Sequence, residues 1–450
     1  MEKTKKIGFM EKIIYGSGDV GLCAMFTVFS SYVLFFYTDV LGLQAAAVGV
    51  AILLCKIMDG ISDLIAGQWI DTHKSAKGHC IPVLIRWTIP MIVSVVLVFT
   101  VPNSSFIVRM VYIFITYNLF NTVTYTVVCA AHNTLASYVT NDSKICSQLM
   151  VYKMMFAALS QTILASVTLP VVEFFGGQNN QIAWVKALVF FGISGGIFLL
   201  LNILFVKERV DNPTPGENII KSIKVAFQNK YWIMSLINSV SVNVMLILNL
   251  SVSVYYMNHV MHNIGLVGAW VAVCNLPGIF VALAIPTLLD KGITRRQMVI
   301  FGAVLMLIGA VIFALAPESV PIMIATGLVR GIGLGFPIGM QNALIANTID
   351  YGEWKTGTRV QGVLLGAAGV GVKVGQGAIT SIFGIFLTAV GYDGLLEVQP
   401  DSAISGISLF FKLVPIIVTV IILINGYFYK VEDLSEQIQK DLVERRGELS

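Results

Sequence analysis

The sequence predicts an all-α membrane protein of twelve transmembrane helices in two six-helix halves. Three observations predict it. Of 450 residues, 56% are hydrophobic and only 12% are charged, about half the charged fraction of a soluble domain. Twelve apolar windows of about 20 residues, the length that crosses a hydrocarbon core, can be laid along the chain. Lysine and arginine then collect in alternate loops, as they do on the cytoplasmic side of a membrane.

The windows are approximately 12–38, 44–69, 80–101, 106–134, 148–172, 184–206, 231–258, 265–289, 297–316, 320–348, 361–390 and 404–428. The basic residues before span 1 are Lys3, Lys5, Lys6 and Lys12. Those after span 2 are Lys74 and Lys77, and Lys144 follows span 4. Lys207, Arg209, Lys221, Lys224 and Lys230 follow span 6, then Lys291, Arg295 and Arg296 after span 8. Lys355 and Arg359 follow span 10, and Lys430, Lys440, Arg445 and Arg446 lie in the C-terminal tail. Together these are 21 of the 29 basic residues, and the opposite loops contain none. Both termini are therefore expected in the cytoplasm. The MEKTKKIGFMEK start reads as a cytoplasmic tail before an uncleaved span, since it has no small-residue cleavage site.

The polar stretch 207–230, with its NPTPGEN segment, reads as a central cytoplasmic loop. It separates an N-terminal half, 1–206, from a C-terminal half, 231–428. Residues 429–450 form a tail with an amphipathic pattern, expected solvated or packed on the membrane face. Two six-span halves suit a secondary transporter with a site at the midplane. Six scattered cysteines form no CxxC and no Cys/His ligand spacing, so neither zinc nor a disulfide framework is indicated. No basic patch suggests nucleic acid. No nucleophile elbow, metal motif or phosphate loop suggests an enzyme, and no cofactor is expected.

Charges inside the spans carry the functional reading, because a charged side chain near the bilayer centre costs about 3 kcal/mol on insertion scales. Asp59 and Asp63, four residues apart in KIMDGISDLIAG, share one helix face. Like charges that close call for a cation. Lys56, three residues before Asp59, is a structural neutraliser of it. Arg86, Arg109 and Lys186 lie near span ends and are expected to snorkel, whereas Arg330 and Lys412 receive no assignment. Asp19 lies within span 1, and Lys373 sits among glycine and alanine in span 11. If Asp19, Asp59, Asp63, Lys153 and Lys373 share one cavity, three carboxylates face two ammoniums and one negative charge remains. A bound Na⁺ or proton would cancel it, and Thr126 offers a further hard oxygen ligand.

At these residues the chain resembles the glycoside–pentoside–hexuronide:cation symporter family, the melibiose-permease branch of the major facilitator fold. The stretches that carry the resemblance are EKIIYGSGDVG followed by LFFYTDVLG, KIMDGISDLIAGQWIDTHKS, VTND followed by VYKMMFA, and DYGEWKTGTRVQGVLLGAAGVGVKVG. The resemblance covers nearly the whole chain. It implies symport of a small glycoside, sugar or sugar acid with Na⁺ or H⁺ across a bacterial inner membrane. It further implies that Asp59 and Asp63 are cation-site carboxylates, that Asp19 accepts sugar hydroxyls, and that Lys373 lies near both. Lys153 stands where many relatives have arginine, and lysine cannot reproduce a bidentate guanidinium contact.

Two stretches depart from the family's pattern. Where relatives read like NIPY, with an aspartate or asparagine in span 4, this chain has Cys129-Ala130-Ala131-His132. His132 is either a packing and hydrogen-bonding side chain or a protonatable group replacing a sugar contact. The loop usually reading GKFRPW is Gly78-His79-Cys80-Ile81-Pro82-Val83. Asp71, Lys74, Asp142, Lys144, Asp350, Glu353 and Arg359 are candidate cytoplasmic gate pairs, or solvated topology signals. Alternative readings are an uncoupled or proton-coupled carrier of an anionic solute, such as a sulfonated sugar or lipid, and a membrane sugar sensor that transports nothing.

Overall fold

The computed structural model describes residues 7–72, 78–140, 142–210, 227–316, 318–356, 361–396, 398–434, 437–438, 440–442 and 444. Among them are twelve helices long and apolar enough to cross a membrane, and no β-strand. They are α1 (Phe9–Val40), α2 (Ala45–Thr72), α3 (Cys80–Phe99), α4 (Phe106–Val139), α5 (Ser143–Phe174) and α6 (Gln181–Phe205). Then follow α7 (Lys230–Val260), α8 (Leu266–Asp290), α9 (Arg295–Leu315), α10 (Val320–Thr356), α11 (Gln361–Ala389) and α12 (Asp401–Phe428). Helices are the form an apolar chain adopts in lipid, because they satisfy every backbone polar group internally.

Several helices run past their apolar windows. The 37 residues of α10 amount to about 55 Å at 1.5 Å per residue, well beyond a hydrocarbon core of about 30 Å. Hydropathy marks the lipid-crossing part alone, whereas backbone hydrogen bonding carries the helix onward through the polar NTIDYGEWKT stretch. Wide π-type turns interrupt α1 at Phe36–Val40, α4 at Asn118–Tyr125 and α7 at Leu248–Val252 and Tyr256–Val260. Such turns concentrate at functional positions, and the one in α4 ends directly before Thr126.

The chain forms two compact units. The first comprises Met1–Pro215, Asn263–Gly268 and Thr380–Ala403; the second comprises Gly216–His262, Ala269–Ile379 and Ile404–Ser450. In the first, α1 packs chiefly on α5 and α6, α3 on α6 and α4, and α2 on α4. The end of α11 joins this unit through Thr388, whose hydroxyl accepts from the Ala46 N–H at 3.0 Å. The Tyr392 hydroxyl likewise donates to Asp39.

In the second unit α10 packs on α9 and α7. Here the two spans' unassigned cations find partners. Arg330, 2% exposed, lies 5.0 Å over the Trp270 ring and donates to Asn249 Oδ1 at 3.4 Å. Lys412 pairs with Glu318 at 3.0 Å. Arg109 donates to the Leu41 carbonyl at 2.6 Å, and Lys56 sits 3.8 Å from Asp59, as its spacing predicts. The C-terminal tail docks rather than floats. Val431, Ile438 and Leu442 are buried, and Trp354 donates to Asp441 at 2.7 Å.

One loop residue organises the start of α3. Glu208 accepts from the backbone N–H groups of His79, Cys80 and Ile81 at 2.7, 2.8 and 2.7 Å. A carboxylate there answers the unpaired N–H groups and the dipole of a helix N-terminus. Gly78, at φ +114°, brings the chain so near that a Cβ would collide with the carboxylate. Glu208→Ala is expected to lower stability by about 2 kcal/mol, the scale of hydrogen bonds to a charged group. A thermal melt in detergent reads this, and an unchanged midpoint would remove the role.

Candidate functional site

Two polar clusters lie inside the first unit. The first centres on Asp19, placed on α1 and only 8% exposed. Its Oδ1 is 3.3 Å from His132 Nδ1 on α4 and 3.9 Å from Lys153 Nζ on α5. Lys153 also donates to Asn133 Oδ1, and the Asn133 amide reaches the Cys129 sulfur at 3.5 Å. His132 is fully buried and stacks on Tyr15 with ring centroids 4.9 Å apart. Its Nε2 is 3.1 Å from the Tyr15 carbonyl. Asn202 on α6 donates to the Ile14 and Tyr15 carbonyls at 2.8 and 3.0 Å. The GSGDVG segment makes this possible: a Cβ on Gly18 would strike both His132 and Asn202.

Chemically this is a carboxylate with two cationic or protonatable neighbours on separate helices. Such an acceptor takes short, charge-assisted hydrogen bonds from hydroxyls. Asp19, Lys153, Cys129 and His132 thus fall in one cluster. Tyr15, Asn133 and Asn202 complete it, and sequence reasoning passed over them. Asn202 carried a signal, being a lone amide in the apolar IFLLLNILF run, where a polar residue is expensive.

The second cluster centres on Asp59, 1% exposed on α2. Thr126 Oγ1 lies 3.0 Å from Asp59 Oδ1 and 3.0 Å from the Asn121 carbonyl. One hydroxyl hydrogen serves only one of those oxygens at a time, and the spot is rich in oxygen. That donor set fits a hard cation such as Na⁺. Ser62 ties the same face to α4 by donating to the Thr122 carbonyl at 2.6 Å. Asp63 is half-buried on the next turn of α2. The Lys56 ammonium, 5.5 Å over the Phe26 ring, compensates Asp59 from the other side.

The remaining candidates are dispersed. Lys373 is half-buried on α11 in the second unit. Asp71 falls on the last turn of α2 and Lys144 on the first turn of α5, with exposed Asp142 just before it. Asp350 and Glu353 are half-buried near the end of α10. Lys74 and Arg359 lie outside the described residues. A cavity of about 390 Å³ in the second unit is lined by Arg295, Asn347, Asp350 and Glu432, and it belongs to neither cluster.

Twelve spans with buried, ion-paired carboxylates define a polytopic carrier. The family described as MFS/sugar transport protein matches residues 14–433, and the chain belongs to it. Among curated relatives, the uncharacterized symporter YnaJ of Bacillus subtilis (strain 168) is 28% identical, covering 98% of this chain and 95% of the relative. The isoprimeverose transporter of Lactiplantibacillus pentosus is 27% identical, covering 98% and 93%. Among solved structures, a bacterial homologue of the human drug peptide transporters PepT1 and PepT2 superposes with a TM-score of 0.69. It is 10% identical and covers 96% of this chain and 100% of that one. The fold is thus the major facilitator fold, and fold and family are those of transporters rather than enzymes.

Proposed function

We propose that the protein is a secondary active transporter importing a small glycoside, sugar or sugar acid by symport with Na⁺ or H⁺. The observation that carries the reading is the pair of buried polar clusters in one helical unit. One cluster is oxygen-rich around Asp59 and Thr126; the other is a carboxylate flanked by nitrogen donors at Asp19. The first suits a cation and the second a polyhydroxylated solute. The match to a sugar-transport family supports it.

In this reading the cation binds at Asp59, Asp63 and Thr126 and neutralises the carboxylate pair. Sugar hydroxyls then bond to Asp19, with Lys153, His132 and Cys129 lining that site. Coupling is reciprocal: a cation that raises sugar affinity is itself bound more tightly by the sugar. The carrier sits in the bacterial inner membrane, both termini cytoplasmic, and exposes the site to each side in turn. Two nitrogens beside Asp19 also favour a second reading, an anionic solute such as a sulfonated sugar.

The test is counterflow of labelled solutes in proteoliposomes, across glycosides, pentose-containing disaccharides, hexuronides and a sulfonated sugar. Exchange of a neutral sugar or sugar acid is the expected result. Exchange restricted to the sulfonated sugar favours the second reading. Binding without exchange of any solute would make the protein a sensor and overturn the transport reading.

A further inference from the structure

We propose that Asn202 on α6 is a positioning residue for Asp19: its amide grips the α1 backbone one turn before the carboxylate and fixes where that carboxylate stands. The role rests on the reading of Asp19 as the sugar acceptor. Asp19 is 8% exposed, yet among the described residues no hydrogen bond reaches its carboxylate. His132 Nδ1 and Lys153 Nζ stand 3.3 and 3.9 Å from its Oδ1. The place of the carboxylate therefore follows the place of its stretch of α1.

Asn202 Nδ2 donates to the Ile14 and Tyr15 carbonyls at 2.8 and 3.0 Å. On an α-helix the Tyr15 carbonyl is the acceptor for the Asp19 N–H, four residues on. The amide thus holds the peptide group to which Asp19 is itself tied. The same carbonyl oxygen lies 3.1 Å from His132 Nε2, and the Tyr15 hydroxyl donates back to the His132 carbonyl at 3.1 Å. This turn of α1 is held from α4 and α6 at once. The orientation of the amide follows from its partners: turned over, it would aim Oδ1 at two carbonyl oxygens, which only accept.

The fit around the grip is close. A Cβ on Gly18 would strike both His132 Nε2 and the Asn202 amide. Just beyond Asp19, a Cβ on Gly21 would lie 2.5 Å from the Gly195 carbonyl oxygen, and one on Gly195 2.7 Å from that of Gly21. A group that positions another must itself be held, and the end of α6 is. The Val206 N–H donates to the Asn202 carbonyl at 3.0 Å, and the Arg209 N–H to the Tyr138 carbonyl of α4 at 2.7 Å. The Arg209 guanidinium pairs with Glu11, in the first turn of α1, at 2.7 Å. Packing of α1 on α6 does not itself call for an amide, because Gly21 and Gly195 already give the close approach. Asn202 is fully buried, and its Oδ1 has no hydrogen-bond partner among the described residues. That is a cost an aliphatic side chain would not carry.

The test is counterflow by the full-length carrier, with the sugar found to exchange, for Asn202→Leu and Gly18→Ala. The second leaves the amide in place and crowds it, and it carries every readout should the first fail to fold. Each is expected to raise the half-saturation concentration about tenfold, the scale of one lost charge-assisted hydrogen bond. The maximal rate per folded carrier is expected to stay within about twofold. In an Asp19→Glu background, whose carboxylate no longer stands where the amide sets it, either change is expected to add less than about threefold, since residues acting through one another are not additive. A lower maximal rate with unchanged half-saturation, or the same loss in both backgrounds, would make Asn202 a structural amide and overturn the proposal. Hydrogen exchange of the substrate-free protein separates the grip from the sugar reading. Residues 14–20 are expected to exchange at least about tenfold faster in Asn202→Leu than in the parent, with α3 unchanged. Equal exchange would overturn the grip, whatever the protein transports. If the parent exchanges no sugar, the sugar reading fails while hydrogen exchange still decides whether Asn202 holds the Asp19 turn.

Discussion

Replacing Asp59 with asparagine is expected to abolish gradient-driven accumulation of substrate while leaving downhill exchange. It is also expected to destabilise the protein by about 3–5 kcal/mol, the range for breaking a buried ion pair from one side. The reason is what the carboxylate leaves behind. Lys56 is 6% exposed, and replacing Asp59 takes a full counter-charge from 3.8 Å beside its buried ammonium. The double variant Lys56→Gln, Asp59→Asn removes both charges and is expected to recover most of the thermal stability. It does not recover accumulation, because the oxygen-rich spot beside Thr126 has lost the Asp59 charge. Melting in detergent reads the first effect and gradient-driven uptake the second. Full recovery of accumulation in the double variant would mean that the cation binds elsewhere.

The second large effect is expected at Asp19. Its carboxylate is the acceptor of the substrate cluster, and each charge-assisted hydrogen bond is worth about 1.5–3 kcal/mol. Loss of two such bonds in Asp19→Ala is expected to weaken sugar affinity by at least about 100-fold. It also leaves Lys153 and His132 facing each other without a counter-charge. Asp19→Glu keeps the charge at a longer reach and is expected to lose less. Concentration dependence of counterflow measures both. Affinity within about twofold of the parent in Asp19→Ala would exclude the residue from the sugar site.

These predictions rest on residues that the sequence marked, and on neighbours that it did not. Twelve apolar windows are legible because lipid imposes one length and one backbone solution on every span. Asp19, Asp59 and Asp63 are legible because a carboxylate in such a window is expensive. Lys56 with Asp59 is legible because three residues separate them on one helix. Pairings between helices are another matter. That His132 lies against Asp19, Thr126 against Asp59 and Lys412 against Glu318 depends on which helix faces meet, and no periodicity within one span encodes that. Glu208 capping α3 from a loop 128 residues away from Cys80 is of the same kind. The π-type turn before Thr126 was equally hidden, since nothing in NLFNTVTY sets Asn118–Tyr125 apart from an ordinary helix. The tail's docking could have been anticipated from Ile438 and Leu442, four apart on one face, but its receiving surface could not.

The most direct test of the central claim is uptake into right-side-out vesicles of the substrate found by counterflow. It is run with a Na⁺ gradient, a proton gradient or neither, for the parent and for Asp59→Cys. The account predicts accumulation above equilibrium under one gradient, none without it, and simple equilibration in Asp59→Cys. Equal accumulation by parent and variant, or equilibration alone under every gradient, would contradict it.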